Sequence, residues 1–233
     1  MSTFTEILRE KAAPIWDANL EHPFVQGIAS GKLDLQSFRY YVLQDSYYLS
    51  HFARVQAIGA SRAEDLNTTA RMAAHAQGTS QAELSLHEKF IKQLHVTSEE
   101  LANFQPAPTA YAYTSHLYRV CASGSLGEII AAILPCYWIY YDIGLQLKGA
   151  APDEPIYQEW IAAYGGEWFG ELVQEQLDRL DELAKTASEK EKSRMINHFL
   201  ISCQYEYLFW EMAYTFEKWP IEVNSEEQLS INK

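Results

Sequence analysis

The chain has 233 residues, 48% of them apolar and 13% aromatic, with 31 acidic against 18 basic residues and a formal net charge of -13. That length is enough for one large domain around a single buried core, and the charge opposes both the counterion release that drives nucleic-acid binding and docking on anionic membranes. The sequence shows no signal-peptide apolar core and no apolar run near the ~18 residues of a membrane span, and its three cysteines without a CxxC pair point to thiols in a reducing cytoplasm.

Helical periodicity interrupted by cap and turn sequences dominates the chain, and no run of period-2 alternation supports a sheet. A first helix is predicted from about Thr3 to Leu20. His22 to Phe24 then opens a short segment that ends at the Ser30–Lys32 turn. Asp34 can cap a long helix from Leu35 to about Ala60, with a break at Ala63 to Asp65. A second long helix runs from about Leu66 to Leu94, and Ser98 with two following glutamates caps a short turn. Thr109 to about Ala122 is helical and stops at Ser123–Ser125. Ser125 with Glu128 forms a capping box that launches Ile129 to Lys148. Pro155 suits the first turn of a helix reaching about Tyr164, where Gly165 and Gly166 end it, and Glu167 to Ala184 follows. Ser188 with Glu191 makes a second capping box for a final helix to about Trp219, stopped by Pro220. The expected architecture is all-α: a single-domain helical bundle over residues 1–220 and a polar tail over residues 221–233.

Fifteen Tyr, ten Phe and six Trp imply a cavity that is partly apolar and partly hydrogen-bonding, in addition to a packed core. In Tyr40–Arg54, helical spacing puts Tyr41, Asp45, Tyr48 and Phe52 on one face. A carboxylate in an aromatic stripe is costly unless paired, so Asp45 meets either a partner such as Arg54 or a polar ligand. In Leu134–Gly144, Cys136 and Tyr140 lie one turn apart. A helical cysteine is ordinarily a small buried hydrophobe. It becomes a nucleophile when its thiol, of pKa about 8.5, sits near a donor or positive field, and tyrosines of the Asp45 helix can supply that donor. In Cys203–Tyr214, Glu206 and Phe209 share a face, with Glu211 further round. A carboxyl in an apolar pocket is a proton donor near neutral pH. Glu83 and His87, spaced i, i+4 and without a second copy, differ from the i, i+3 pairs of di-iron bundles and read as a surface pair. His22, His75 and His116 sit in ordinary helical contexts, and the charge run Asp178–Arg194 reads as solvated surface.

The segments HPFVQGI, YYVLQDSYYLSHFAR, AHAQGTSQAELSLHEKF, PAPTAYAYTSHLYR, LGEIIAAILPCYWIYYDIG, YQEWIAAYGGEWF and CQYEYLFWEMAY occur in order over nearly the whole chain. Together they resemble the thiaminase II family, also called TenA or aminopyrimidine aminohydrolase. The resemblance implies a haem-oxygenase-like bundle without haem, assembled as a homotetramer and needing neither metal nor organic cofactor. It makes Cys136 the nucleophile, Glu206 the acid that protonates a pyrimidine ring, and Tyr48 the hydroxyl that hydrogen-bonds the cysteine. It gives Asp45 the ring's amino group and a ring nitrogen, Tyr140 and Tyr164 substrate contacts, and Tyr113 and Phe209 the aromatic walls. The implied reaction is hydrolysis of 4-amino-5-aminomethyl-2-methylpyrimidine to the hydroxymethyl compound and ammonia in thiamin salvage. Thiamin, cleaved to hydroxymethylpyrimidine and the thiazole alcohol, is the implied poorer substrate. Since fold alone does not fix function, a cofactorless or metal-dependent oxidase and an indirect transcriptional regulator are the alternatives.

Overall fold

The computed structural model describes residues 2–221, apart from the side chains of residues 82–84, 86 and 87. The expected polar tail, beyond its first residue, and the side chains of Glu83 and His87 therefore lie outside the described residues. Among the described residues there are twelve α-helices and no strand. They are α1 (Phe4–Lys11), α2 (Ala13–Glu21), α3 (Pro23–Ser30), α4 (Leu35–Arg62), α5 (Leu66–Gly78), α6 (Leu84–Gln93), α7 (Ser98–Ala102), α8 (Pro108–Ser123), α9 (Leu126–Gln146), α10 (Pro155–Tyr164), α11 (Glu167–Thr186) and α12 (Glu189–Thr215). A π turn, Thr79–Glu83, joins α5 to α6.

Most helix starts follow from the caps. Asp34 Oδ1 accepts the Gln36 amide at 3.1 Å, and Ser125 with Glu128 completes the box of α9. At α12 half of the box forms: Ser188 Oγ accepts the Glu191 amide at 3.3 Å. The Glu191 carboxylate accepts instead from Ser125 Oγ at 2.5 Å, tying the start of α12 to that of α9. The cap of α7 is Thr97, one residue before Ser98, boxed with Glu100.

Three helices differ from their expected spans. The first breaks at Ala12, because Pro14 has no N–H to give the Glu10 carbonyl. The helix expected over Leu66 to Leu94 divides at the π turn. The last stops at Thr215 rather than Trp219: Phe216 adopts a left-handed conformation, and the Glu217 carboxylate accepts from Thr109 at the start of α8, from the amide at 2.9 Å and the hydroxyl at 3.1 Å. A carboxylate there satisfies amides that a helix leaves without partners.

Helix α9 runs through the core, packed against α4, α8, α10, α11 and α12. Every residue from Leu126 to Pro135 is buried, as befits a helix apolar all round. As expected, α9 is no unbroken apolar run, since Glu128 and Asp142 interrupt it. An 18-residue window of α9 has a mean hydropathy of 1.2, and the helix is long enough to cross a bilayer, yet 78% of that window is buried inside the protein.

The far end of α9 touches α10 backbone to backbone. A Cβ on Gly144 would lie 2.4 Å from the Gly165 nitrogen and 2.5 Å from the Tyr164 carbonyl carbon. Neither atom can move without moving α10, whose last residue is Tyr164. Gly144→Ala is expected to cost about 1–3 kcal/mol, the range of an overpacked core, and to weaken any ligand contact made by Tyr164. Urea unfolding and substrate KM measured on the same variant check both effects.

Candidate active site

Five helices bring the expected residues together. Helix α4 supplies Asp45 and Tyr48, α8 supplies Tyr113, α9 supplies Cys136 and Tyr140, α10 ends on Tyr164, and α12 supplies Glu206 and Phe209. Asp45, Cys136, Tyr140 and Tyr164 line one pocket, whose wall is completed by Leu49, Phe52, Thr79, Tyr137 and Phe169. Tyr48, Tyr113, Glu206 and Phe209 form a buried layer against it. The Tyr48 ring lies 4.8 Å from that of Tyr113, 5.7 Å from Phe209 and 5.5 Å from Phe52. Tyr140 stands 4.8 Å, ring to ring, from Tyr164, and its hydroxyl accepts from Tyr41 at 3.3 Å.

Two groups have the properties that chemistry requires. Glu206 is 2% exposed, and burial pushes its pKa up to about 8. The hydrogen bond from Tyr113 pulls the value down, and the charge of Asp45 raises it further. That bond is 2.6 Å, from the Tyr113 hydroxyl to Oε1. At neutral pH the carboxyl therefore carries its proton and can act as an acid. The second group is the thiol of Cys136. None of the three cysteines is in a disulfide, but their surroundings differ. Burial pushes Cys121 up to about 11 and Cys203 well above the ordinary thiol range, so both are held as inert thiols. Cys136 is half-buried and opens on the pocket.

The Tyr48 hydroxyl is buried beside that of Tyr113 and makes no hydrogen bond of good geometry. Its pKa is raised first by burial and then by Cys136, Tyr113 and Glu206, so both the thiol and the acid are among its neighbours. A buried hydroxyl in that state costs stability and is available to a ligand or an adjacent sulfur.

Arg54, the candidate partner of Asp45, and Glu211 both lie elsewhere. Arg54, nine residues after Asp45, projects from the opposite side of α4 and is exposed. It does not pair with Asp45, which is 4% exposed. Glu211 turns away to His22, Oε2 to Nε2 at 3.1 Å. His22 Nδ1 accepts the Phe24 amide at the start of α3, so its ring is a helix cap. Among the described residues no three His, Cys, Asp or Glu side chains converge as metal ligands.

Residues 9–216 match the TENA/THI-4/PQQC family. The chain belongs to that family. It is 54% identical over 216 residues to the aminopyrimidine aminohydrolase of Bacillus subtilis, covering 93% of this chain and 92% of that one. Among solved structures it resembles a TenA homologue from P. horikoshii, with TM-score 0.83 and 30% identity, over 92% of this chain and 99% of the other. It also superposes on a domain of haem-oxygenase-like fold from Shewanella denitrificans at TM-score 0.74 and 18% identity, covering 99% and 96% of the two chains. That likeness bears on the fold, which is haem-oxygenase-like as expected.

The pocket of this TenA-family chain includes residues that sequence reasoning did not single out: Leu49, Thr79, Tyr137 and Phe169. Leu49 lies four residues after Asp45 and was open to the same periodicity argument. Thr79 had no such signal, because the π turn that aims it is invisible to a 3.6-residue pattern.

Burying Glu206 also ties stability to pH. The folded carboxyl keeps its proton to about pH 8, whereas the unfolded one releases it near 4.5. The folded state thus holds an extra proton between these values, and stability falls as pH rises through that window. Glu206→Gln is neutral throughout and is spared the loss. Its melting temperature is expected to match wild type near pH 5 and to exceed it by roughly 5 °C or more at pH 8.5. Parallel pH dependence in thermal melts of the two proteins would count against a buried, protonated Glu206.

Proposed function

We infer that this enzyme is an aminopyrimidine aminohydrolase of thiamin salvage, converting 4-amino-5-aminomethyl-2-methylpyrimidine and water to the 5-hydroxymethyl compound and ammonia. The observation that carries the reading is a half-buried thiol on a ring-lined pocket with a protonated carboxyl buried in the layer behind it, in a chain so similar to the Bacillus enzyme of that name. Thiamin, cleaved to the same pyrimidine and its thiazole alcohol, is the poorer substrate.

In this mechanism Asp45 accepts from the ring's amino group, while Tyr113 and Phe209 flank the ring and Tyr140 and Tyr164 fix its edge. The Cys136 sulfur, hydrogen-bonded by Tyr48, adds to ring carbon C6 as Glu206 delivers its proton to a ring nitrogen. Aromaticity is lost, and the electron pair gained by the ring expels the amine from the 5-methylene carbon as ammonia, carrying the proton that the thiol gave up, and leaves an exocyclic double bond. Water adds to that carbon. The ring nitrogen returns its proton to Glu206, the C6–S bond breaks to restore the aromatic ring, and the sulfur takes up the proton that water released. Two accessible steps replace one hard displacement, and the carboxyl of raised pKa makes the first possible at neutral pH. No step uses a metal or organic cofactor.

The same reading makes residues 1–220 one domain and the working assembly a cytoplasmic homotetramer whose ligand is a small pyrimidine, without direct nucleic-acid or membrane contact. Cys136→Ser is expected to abolish ammonia release while melting within a few degrees of wild type; an unimpaired variant sinks the covalent mechanism. For the wild-type enzyme, kcat/KM is expected to fall as pH rises through about 8, where Glu206 loses the proton it must donate. A pH–rate profile still climbing at pH 9 would contradict that role.

A further inference from the structure

On one wall of the Cys136 pocket the lining residues are the visible end of a polar chain that runs back through the bundle. Thr79, the first residue of the π turn, donates from Oγ1 to Gln56 Oε1 at 3.0 Å. With its oxygen engaged as acceptor, Gln56 donates from Nε2 to the Tyr137 hydroxyl. That hydroxyl lies 3.2 Å from His75 Nδ1. His75 Nε2 lies 3.2 Å from Glu175 Oε2, close enough for charge attraction though off the line of a hydrogen bond. Glu175 in turn accepts from Arg71 Nε at 2.9 Å and from Arg179 at 2.7 Å.

The direction of the chain follows from its anchored end. Glu175 is held down to about pKa 2, first by the Arg71 hydrogen bond, so it is a permanent acceptor. It favours the proton on His75 Nε2, which leaves Nδ1 to accept from the Tyr137 hydroxyl. Tyr137 can then accept from Gln56 and donate to His75 at once, and every hydrogen bond from Thr79 to His75 has one donor and one acceptor.

Gln56, His75, Thr79 and Tyr137 are at most 8% exposed. Four polar side chains in the interior are costly unless connected, and an apolar core would be a simpler solution. What the chain holds is the pocket wall. The Tyr137 ring packs 5.5 Å from Phe52 and 6.2 Å from Phe169, both lining residues. Tyr137 also follows Cys136 directly on α9.

We propose that His75 is a positioning residue for the reaction: anchored on Glu175, it locks Tyr137, and through Gln56 the Thr79 end of the π turn, in the wall beside Cys136. The proposal rests on the reaction assigned above. Loss of the lock lets the wall shift, and a displacement of ~1 Å at a reacting centre can cost up to a hundredfold in rate.

The test uses His75→Leu, His75→Asn and Tyr137→Phe in the full chain. Asn keeps an acceptor near the position of Nδ1, Leu removes it, and Phe keeps the ring without its hydroxyl. For the aminopyrimidine, His75→Leu and Tyr137→Phe are expected to lower kcat about tenfold or more with KM within threefold, the double variant losing no more than either alone. His75→Asn is expected to stay within threefold of wild type in both. In parallel, iodoacetamide labelling of Cys136, followed by peptide mass spectrometry well below the melting temperature, reads the wall without substrate. Labelling is expected to rise severalfold in the Leu and Phe variants and not in Asn. Variants that melt earlier yet keep wild-type kcat and labelling, or an Asn variant as impaired as Leu, overturn the proposal. If His75→Leu does not fold, Tyr137→Phe decides alone. Wild-type protein inert on the aminopyrimidine refutes the assigned reaction instead, and the labelling series still decides the role of His75.

Discussion

Helix α9 has no solvent face from Leu126 to Pro135, and the Cys136 pocket begins where that unbroken buried stretch ends. That point is Pro135. The proline gives no amide to the Ala131 carbonyl, and the next residue, Cys136, is the first on α9 that is only half-buried. The pocket opens there, one turn before Tyr140, and the α9–α10 backbone contact at Gly144 sets Tyr164 against Tyr140. The cavity belongs to the way the core helix is enclosed, and the helices that enclose it supply the remaining groups.

Chemical polarity across the site follows from differences in burial. Glu206 is sealed among rings and stays protonated, while Cys136 opens on the pocket and its two fellow thiols are silenced in the core. Desolvation is the largest of the effects that set this acid apart from an ordinary surface glutamate, and it is what holds Cys121 and Cys203 inert. Tyr48 completes the arrangement with a hydroxyl that the fold holds beside Tyr113 without a hydrogen bond of good geometry. These features oppose folding and favour reaction, and the large apolar core around α9 offsets them.

Much of this was legible in the residues. Caps at Asp34, Ser125 and Ser188 located three of the longest helices, and i, i+3/i+4 spacing put Asp45 with Tyr48, Cys136 with Tyr140, and Glu206 with Phe209. Spacing could not say that these pairs face one another, because that depends on how helices cross; the family resemblance supplied the assembly. Partners remote in sequence were hidden as well. Nothing local announces that Glu217 leaves its helix to cap α8 or that Glu211 serves His22. The apolar character of α9 was spread among tyrosines and a glutamate, so a count of consecutive apolar residues understated it.

The π turn at Thr79–Glu83 carries one more lesson. A π turn accommodates an extra residue in a helical coil, and each residue adds about 100° of rotation. Helices α5 and α6 therefore run as two rods with a phase slip between them. His75 before the slip meets Tyr137, while Phe90 after it reaches the core and packs 5.6 Å from Phe38. Hydrophobic positions on either side are in register with the bundle but not with each other. A length change of one residue here is thus a rotation of everything downstream on α6, which makes this short stretch a setting for the helix rather than a spacer.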